Sequence, residues 1–333
     1  MSAARKILPM FIPHLGCPHA CVFCNQKRIS GALHPATAAD VSRTLCALSP
    51  EQKGVEAAFY GGSFTALPTE QQRSLLEAVQ PFRADGTVSA IRLSTRPDAI
   101  DDEKLTLLAE LGVTTIELGA QSMSDDVLNC CGRGHTAADT LRASALVRER
   151  GFYLILQMMT GLPGSSMETD VDTARKIAAL HPDGVRIYPT VILRDTPLYD
   201  LWRSGDYAEH SVEDAVAVCA EIVPIFDAAG IPVIRLGLNP TDDLSGGDAA
   251  AGAYHPALGE LVRSRMFLNS ARDLLSSADR GADVTLAVSG SSLSQMIGQH
   301  RGNLAALKEE FCLRSLRVIS DEAVPRGKVR RTD

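Results

Sequence analysis

Short apolar runs alternate along this chain with longer amphipathic stretches. Apolar or β-branched runs stand at residues 7–12 (ILPMFI), 55–60 (VEAAFY), 88–94 (VSAIRLS), 114–118 (TTIEL), 153–158 (YLILQM) and 185–188 (VRIY), and each leads into a loop. Between them, residues 38–48, 70–82, 101–111, 137–150 and 167–180 carry apolar positions at helical spacing. Such alternation predicts right-handed βαβ units and a parallel sheet buried on both faces. Six units of this kind predict an α/β fold, a partial (β/α)6 TIM-like barrel.

A further helix is predicted over 212–229, then a seventh strand-like run, IPVIRL. The stretch TDDLSGGDAAAGA at 241–253 reads as a loop or domain junction. Beyond it come an amphipathic helix over 256–276, the strand-like VTLAV, two short helices within LSQMIGQHRGNLAALKEEF, and the strand-like LRSLRVI. The expected division is therefore a barrel domain over 1–240 and a small α+β extension over 241–333. No repeat is present beyond the βα rhythm.

With 333 residues and 45% hydrophobic content, the chain can bury an enzyme-sized core. Its apolar runs fall far short of the ~20 residues that span a bilayer. The opening MSAARK lacks the long apolar core of a secretory signal, so the expectation is a cytoplasmic protein with no membrane partner. From Ala257 onward 12 Lys or Arg face 9 Asp or Glu, a balance of +3; the whole chain carries −7, so the preceding residues carry −10. That balance argues against a protein that coats nucleic acid over its whole surface.

The eight cysteines, at 17, 21, 24, 46, 130, 131, 219 and 312, form one tight group and scattered singles rather than a disulfide framework. Cys17, Cys21 and Cys24 give Cys-x3-Cys-x2-Cys in the loop after the first strand. In βα barrels the chemistry sits at such strand ends. Three thiolates this close converge on one metal centre. A 4Fe-4S cube held by three cysteines leaves one iron to chelate the amino and carboxylate groups of S-adenosylmethionine. Electron transfer to the sulfonium would then yield a 5'-deoxyadenosyl radical that abstracts hydrogen from the substrate. The alternatives are a zinc site completed by His14 or His19, or three structural cysteines. Phe23, just before the last cysteine, either packs on the adenine or belongs to the core.

The other strand ends carry Gly61, Gly62 and Ser63 after the second strand, Ser94 and Arg96 at the third and Gln121 at the fourth. Arg133 lies in the following loop and Gln157 on the fifth strand. Absent side chains at a glycine pair let backbone approach a ligand, though such a pair also serves as a simple turn. Gln matches a ribose diol, and Arg forks onto a carboxylate. Glu117, in an otherwise apolar strand, is either a functional carboxylate or a partner of Arg92 or Arg186. Gly161 to Gly164 offers backbone amides or a tight turn, and Tyr188 faces the cavity or packs. His14 and His135 read as structural; so do Cys130 and Cys131. Cys46 and Cys219 fall on apolar helix faces and are expected in the core.

The three-cysteine motif, YGGSF, STRPD, ELGAQS, GRGHT, QMMTGLPG and RIYPTVILRDTPLYDLWRSGDY occur in order. Together they resemble the radical SAM region of the Elongator catalytic subunit and, more distantly, the oxygen-independent coproporphyrinogen oxidases, over roughly residues 7–235. The resemblance implies that the Gly61-Gly62 loop binds the methionyl amino group. It also implies that Ser94, Arg96, Gln121, Arg133 and Gln157 contact the ribose hydroxyls and carboxylate of S-adenosylmethionine. The sequence departs from the relatives at Ser63, where many radical SAM enzymes carry Glu or Thr, and at Ser94 and Gln157, where acidic residues are common. Reductive chemistry would call for an electron donor such as flavodoxin or ferredoxin.

The Elongator subunit continues into an acetyltransferase domain, for which the expected elements are missing here. Residues 292–311 instead resemble the helix-loop-helix of a KH RNA-binding module. Gly298, Arg301 and Lys308, with the basic RGKVRR, would suit phosphates of tRNA or another RNA. The alternative is a solvated helical pair. The expected function is a radical SAM enzyme that modifies RNA. The competing readings are radical chemistry on a small molecule and a non-catalytic iron-sulfur or metal-binding protein.

Overall fold

Apolar β-branched strands separated by capped helices dictate the larger of two units in this computed structural model. The structure describes residues 6–26, 30, 34–49, 51–238 and 249–332. The first unit comprises Met1–Ser211 and Ile225–Tyr254, the second Val212–Pro224 and His255–Asp333. No helix among the described residues is long and apolar enough to cross a membrane.

The sheet of the first unit runs β1 (Ile7–Phe11), β2 (Val55–Tyr60), β3 (Val88–Thr95), β4 (Val113–Gln121), β5 (Tyr153–Thr160), β6 (Gly184–Pro189) and, after a short β7 (Val191–Leu193), β8 (Val233–Leu236). Its order is β1-β2-β3-β4-β5-β6-β8, and neighbouring strands pair in parallel. The sheet curls into a half-barrel, so the partial-barrel expectation holds, with the seventh run completing the sheet.

Each strand has two rows of side chains, and the rows differ in chemistry. Ile91, Leu93, Ile116, Leu118, Leu154, Leu156, Val185 and Ile187 are fully buried. The alternate row is polar. Its register aligns Ser94 with Glu117, Gly119 with Gln157, Gln157 with Arg186, and Arg186 with Arg235. Helices that carry their own capping chemistry return the chain between strands. Thr136 and Asp139 form a capping box at the start of Ala137–Glu149, as Ser166 and Thr169 do for Met167–Ala178.

Three local expectations change. The single helix expected over 70–82 is two, Thr69–Glu77 and Gln80–Ala84. Pro81 has no N–H and its ring would strike the carbonyl one turn back, so it opens a new helix instead of extending the old one. Of the loop expected over 241–253, residues 241–248 lie outside the described residues, while Ala249–Gly252 forms β9, antiparallel to β7. Cys46 is exposed at the last residue of Ala38–Cys46, not in the core, whereas Cys219 is buried.

The second unit packs the helix Leu258–Leu275 and the short helices Leu293–Ile297 and Gly302–Glu310 against a three-stranded sheet. That sheet consists of β10 (Asp283–Val288), β11 (Ser315–Ser320) and β12 (Val329–Arg331), in the order β11-β10-β12. Phe267, Leu268, Leu275, Leu286, Met296 and Leu307 form its core. The end of the basic RGKVRR stretch contributes β12, antiparallel to β10.

Candidate cofactor site

The cysteine loop is fastened to the end of β2 before any side chain is considered. Ile12 donates its backbone N–H to Tyr60 O, His14 to Gly61 O, and Ser63 to Leu15 O. The two glycines that face each other across this seam have no room for a side chain. A Cβ on Gly62 would lie 2.3 Å from Leu15 O, and one on Gly16 2.2 Å from Ser63 O. Gly61 has φ +92°, which favours glycine. The glycine pair thus has a structural task at the seam in addition to any ligand contact.

Cys21 is buried, and Cys17 and Cys24 are half-buried; all three are free thiols. Burial pushes the Cys24 thiol up to about 12, reinforced by Cys21. Burial likewise raises Cys17, again with Cys21 adding to the effect. The three sulfurs therefore sense one another, and a cation beside them is what would hold them as thiolates. His14 Nε2 accepts the backbone N–H of Gln26 at 3.0 Å, and the His19 ring lies against Gly134. Among the described residues no three His, Cys, Asp or Glu side chains form a site for a single metal ion.

The neighbouring strand ends converge on this loop. Ser63 Oγ lies 3.0 Å from Thr95 Oγ1 and accepts the Arg96 backbone N–H. Arg96 forks onto Asp98 through Nε and NH2, both at 2.9 Å, and also donates to the Arg133 carbonyl. Arg133 in turn donates from NH1 to Cys21 Sγ at 3.3 Å and from NH2 to Gly119 O at 2.7 Å. Gln121, at φ +64°, accepts from Gln157 Nε2 at 3.1 Å. Ser94 Oγ reaches only 3.5 Å from Phe59 O and Gly62 O. Phe23 packs with Val127, Cys131, Met159 and Leu162. Gly298, Arg301 and Lys308 belong to the second unit.

The radical SAM superfamily model matches residues 11–177, and the radical SAM C-terminal domain model matches residues 182–267. This chain belongs to the radical SAM superfamily. It is 32% identical over 184 residues to the tRNA uridine(34) acetyltransferase of Methanocaldococcus jannaschii, covering 49% of this chain and 34% of that protein. It is 30% identical over 232 residues to human Elongator complex protein 3, covering 64% and 42%. The match thus spans less than half the length of either relative. Among solved structures it resembles an N-terminally deleted Elp3 of Methanocaldococcus infernus, with 24% identity and a TM-score of 0.62, covering 78% of this chain and 62% of that one. It also resembles the Escherichia coli coproporphyrinogen III oxidase HemN, with 20% identity and a TM-score of 0.52, covering 68% and 53%. Both structural likenesses concern the fold.

Membership of the radical SAM superfamily implies a 4Fe-4S cluster and S-adenosylmethionine, and the residues present fit both. Three free thiols lie on one loop, a buried guanidinium faces one of them, and Arg133 Nε is buried without a hydrogen-bond partner in the structure. His135, pushed down to about 4 mainly by burial, is neutral. Its Nε2 lies 3.2 Å from Ala120 O, and its Nδ1 is buried without a partner.

Sequence reasoning understated one constellation. Glu117 pairs with both of its candidate partners: Oε1 accepts from Arg92 NH1 at 2.7 Å and from Arg186 NH2 at 3.0 Å. Tyr60 and Glu56, which the sequence reading did not single out, complete it. The Tyr60 hydroxyl donates to Glu117 Oε1, and Arg92 NH2 donates to Glu56 Oε2. The signal was available, because polar residues at alternate positions of several apolar strands share one face. A second group was missed altogether. Asp170 Oδ2 accepts the Gly161 N–H at 2.9 Å, and Tyr207 donates its hydroxyl to Gly161 O at 2.5 Å, which pins the Gly161–Gly164 turn.

Proposed function

We propose that this protein binds a 4Fe-4S cluster through Cys17, Cys21 and Cys24 and uses S-adenosylmethionine to modify a uridine of tRNA. Supplied with an electron, the cluster and S-adenosylmethionine together provide a hydrogen-abstracting carbon radical. The chain's own residues do the rest. The Gly61-Gly62 seam fixes the cysteine loop against the end of β2, where backbone groups would be open to the methionyl amino group of S-adenosylmethionine. Gln121 and Gln157, already hydrogen-bonded to each other, present donors and acceptors suited to ribose hydroxyls. Arg133 offers its unpartnered Nε, and Ser63, Ser94 and Arg96 shape the adjoining strand ends. Phe23 supplies an aromatic edge from its apolar cluster.

The single observation that carries this reading is that the matched radical SAM region contains the whole constellation, with relatives named for tRNA uridine. The acetyl transfer in a relative's name is not part of the proposal, since the match covers 34% of that protein. A one-electron donor such as flavodoxin or ferredoxin would complete the system, in a cytoplasmic setting. In the second unit, exposed Arg301 and Lys308 near Gly298 suit RNA phosphates.

Anaerobic reconstitution followed by assay for 5'-deoxyadenosine, with and without tRNA, tests this function. Formation under reducing conditions, stimulated by tRNA and lost together with the iron in Cys21→Ala, is expected. Unchanged tRNA nucleosides by mass spectrometry in cells with and without the gene, together with no stimulation by tRNA, would refute the RNA reading.

A further inference from the structure

We propose that Arg133 sets the reduction potential of the cluster by hydrogen bonding to Cys21, a role separate from any contact it makes with S-adenosylmethionine. The proposal rests on the cluster assignment above. Its observation is the contact of Arg133 NH1 with Cys21 Sγ at 3.3 Å, between residues 112 positions apart in the chain.

This guanidinium is held in place on several sides. NH2 donates to Gly119 O at 2.7 Å, and the Arg133 backbone N–H donates to Leu128 O at 3.0 Å. The Arg133 carbonyl accepts from Arg96, which Asp98 holds in a two-point fork. Gly119 leaves the necessary space: a Cβ there would lie 2.8 Å from Gln121 Nε2 and 3.4 Å from Arg133 NH2. The Arg133 side chain has few other conformations open to it, and it is 7% exposed.

The physical consequence follows from charge. A cluster bound by three thiolates is an anion, and the incoming electron makes it more so. A hydrogen bond to a ligating sulfur and a buried positive charge beside it both favour the reduced state. Arg133 therefore raises the potential and eases electron entry from a weakly reducing donor. Arg96 is a positioning residue for Arg133, because it touches the carbonyl and not the sulfur.

The test is an EPR-monitored redox titration of the reconstituted full-length protein without S-adenosylmethionine, which removes the cofactor contact from the comparison. Iron and sulfide are measured first. If the wild-type protein takes up no cluster, the cluster assignment fails, and this inference with it. With the cluster in place, Arg133→Gln is expected to lower the reduced-to-oxidised ratio at fixed potential about tenfold, or ~59 mV for a one-electron couple. Arg133→Lys, which keeps the charge, is expected to fall between the two. An Arg133→Gln midpoint equal to wild type, at equal iron content, overturns the proposal while leaving the cluster assignment standing. So does an equal shift in Arg175→Gln, which removes an exposed charge from the far end of the helix Met167–Ala178. Should Arg133→Gln hold no iron, Arg133→Lys and Arg96→Lys take its place. A negative shift in either supports the role, and wild-type midpoints in both overturn it.

Discussion

The Tyr60 hydroxyl donates a hydrogen bond to Glu117 Oε1 at 3.0 Å, joining two residues 57 positions apart. Tyr60 immediately precedes Gly61, whose carbonyl accepts the backbone N–H of His14 at 2.9 Å. The ionic network on the inner face of the sheet is thereby coupled, through one residue, to the loop that carries the cysteines. Burial and the Glu117 charge both raise the Tyr60 pKa, so its hydroxyl stays protonated and remains a donor.

Glu117 has 4% side-chain exposure and Arg92 and Arg186 each have 13%. Replacing Glu117 by Ala leaves two guanidinium groups without their shared carboxylate, and breaking such a buried pair costs about 3–5 kcal/mol. Tyr60→Phe removes one hydrogen bond and no charge, a loss of about 1 kcal/mol. Urea unfolding of both variants is expected to give this order. Equal stabilities for Glu117→Ala and wild type would show that the network contributes little.

Gly62→Ala tests the seam between the cysteine loop and β2. The added Cβ would meet Leu15 O at 2.3 Å and Ile12 O at 2.5 Å, and neither is a side chain that can swing aside. The backbone of the cysteine loop must move, at a cost of about 1–3 kcal/mol typical of overpacking. Iron content after reconstitution is expected to fall severalfold while the far-ultraviolet circular dichroism is retained. Wild-type iron content would show that the loop tolerates the displacement.

The strands of the barrel were legible because each is an apolar run, and such runs survive whatever the tertiary context does to single residues. The cysteine loop was legible for a different reason: thiols at this spacing have few bland explanations. Other features depend on distance in space. Nothing near Arg133 in the sequence announces Cys21, and Tyr60 reads as one more aromatic in an apolar strand. Cys46 misled because helical spacing gives the face of a residue but not whether a short helix has anything packed over its last turn. The break near Pro81 follows from a ring clash that periodicity alone does not register.

Asp170 gives a pH prediction. Burial raises its carboxyl from the ordinary 3.8 to about 7, against the opposing effect of the hydrogen bond from the Gly161 N–H. Over that interval the folded protein holds a proton that the unfolded chain has released. This contribution to stability is complete below pH 3.8 and is lost as pH rises through about 7. Asp170→Asn cannot ionise and still offers an oxygen to Gly161, so its stability is expected to fall less with pH across this window. Parallel profiles for variant and wild type in thermal or urea unfolding would contradict the assignment.

An RNA-binding surface on the second unit would differ from a merely solvated helix pair in its dependence on salt. Arg301, at φ +62°, and Lys308 are both exposed, and Arg301 immediately precedes the helix Gly302–Glu310. If they contact phosphates, binding releases condensed counterions, so affinity depends on salt in proportion to the number of contacts. Arg301→Gln and Lys308→Gln are each expected to weaken tRNA binding across sequences and reduce the salt slope by about 1. Neither should alter iron content, because the cysteines belong to the first unit. Loss of affinity with an unchanged slope would indicate altered packing. Unchanged affinity and slope in the double variant would exclude this surface from tRNA binding and leave recognition to the first unit.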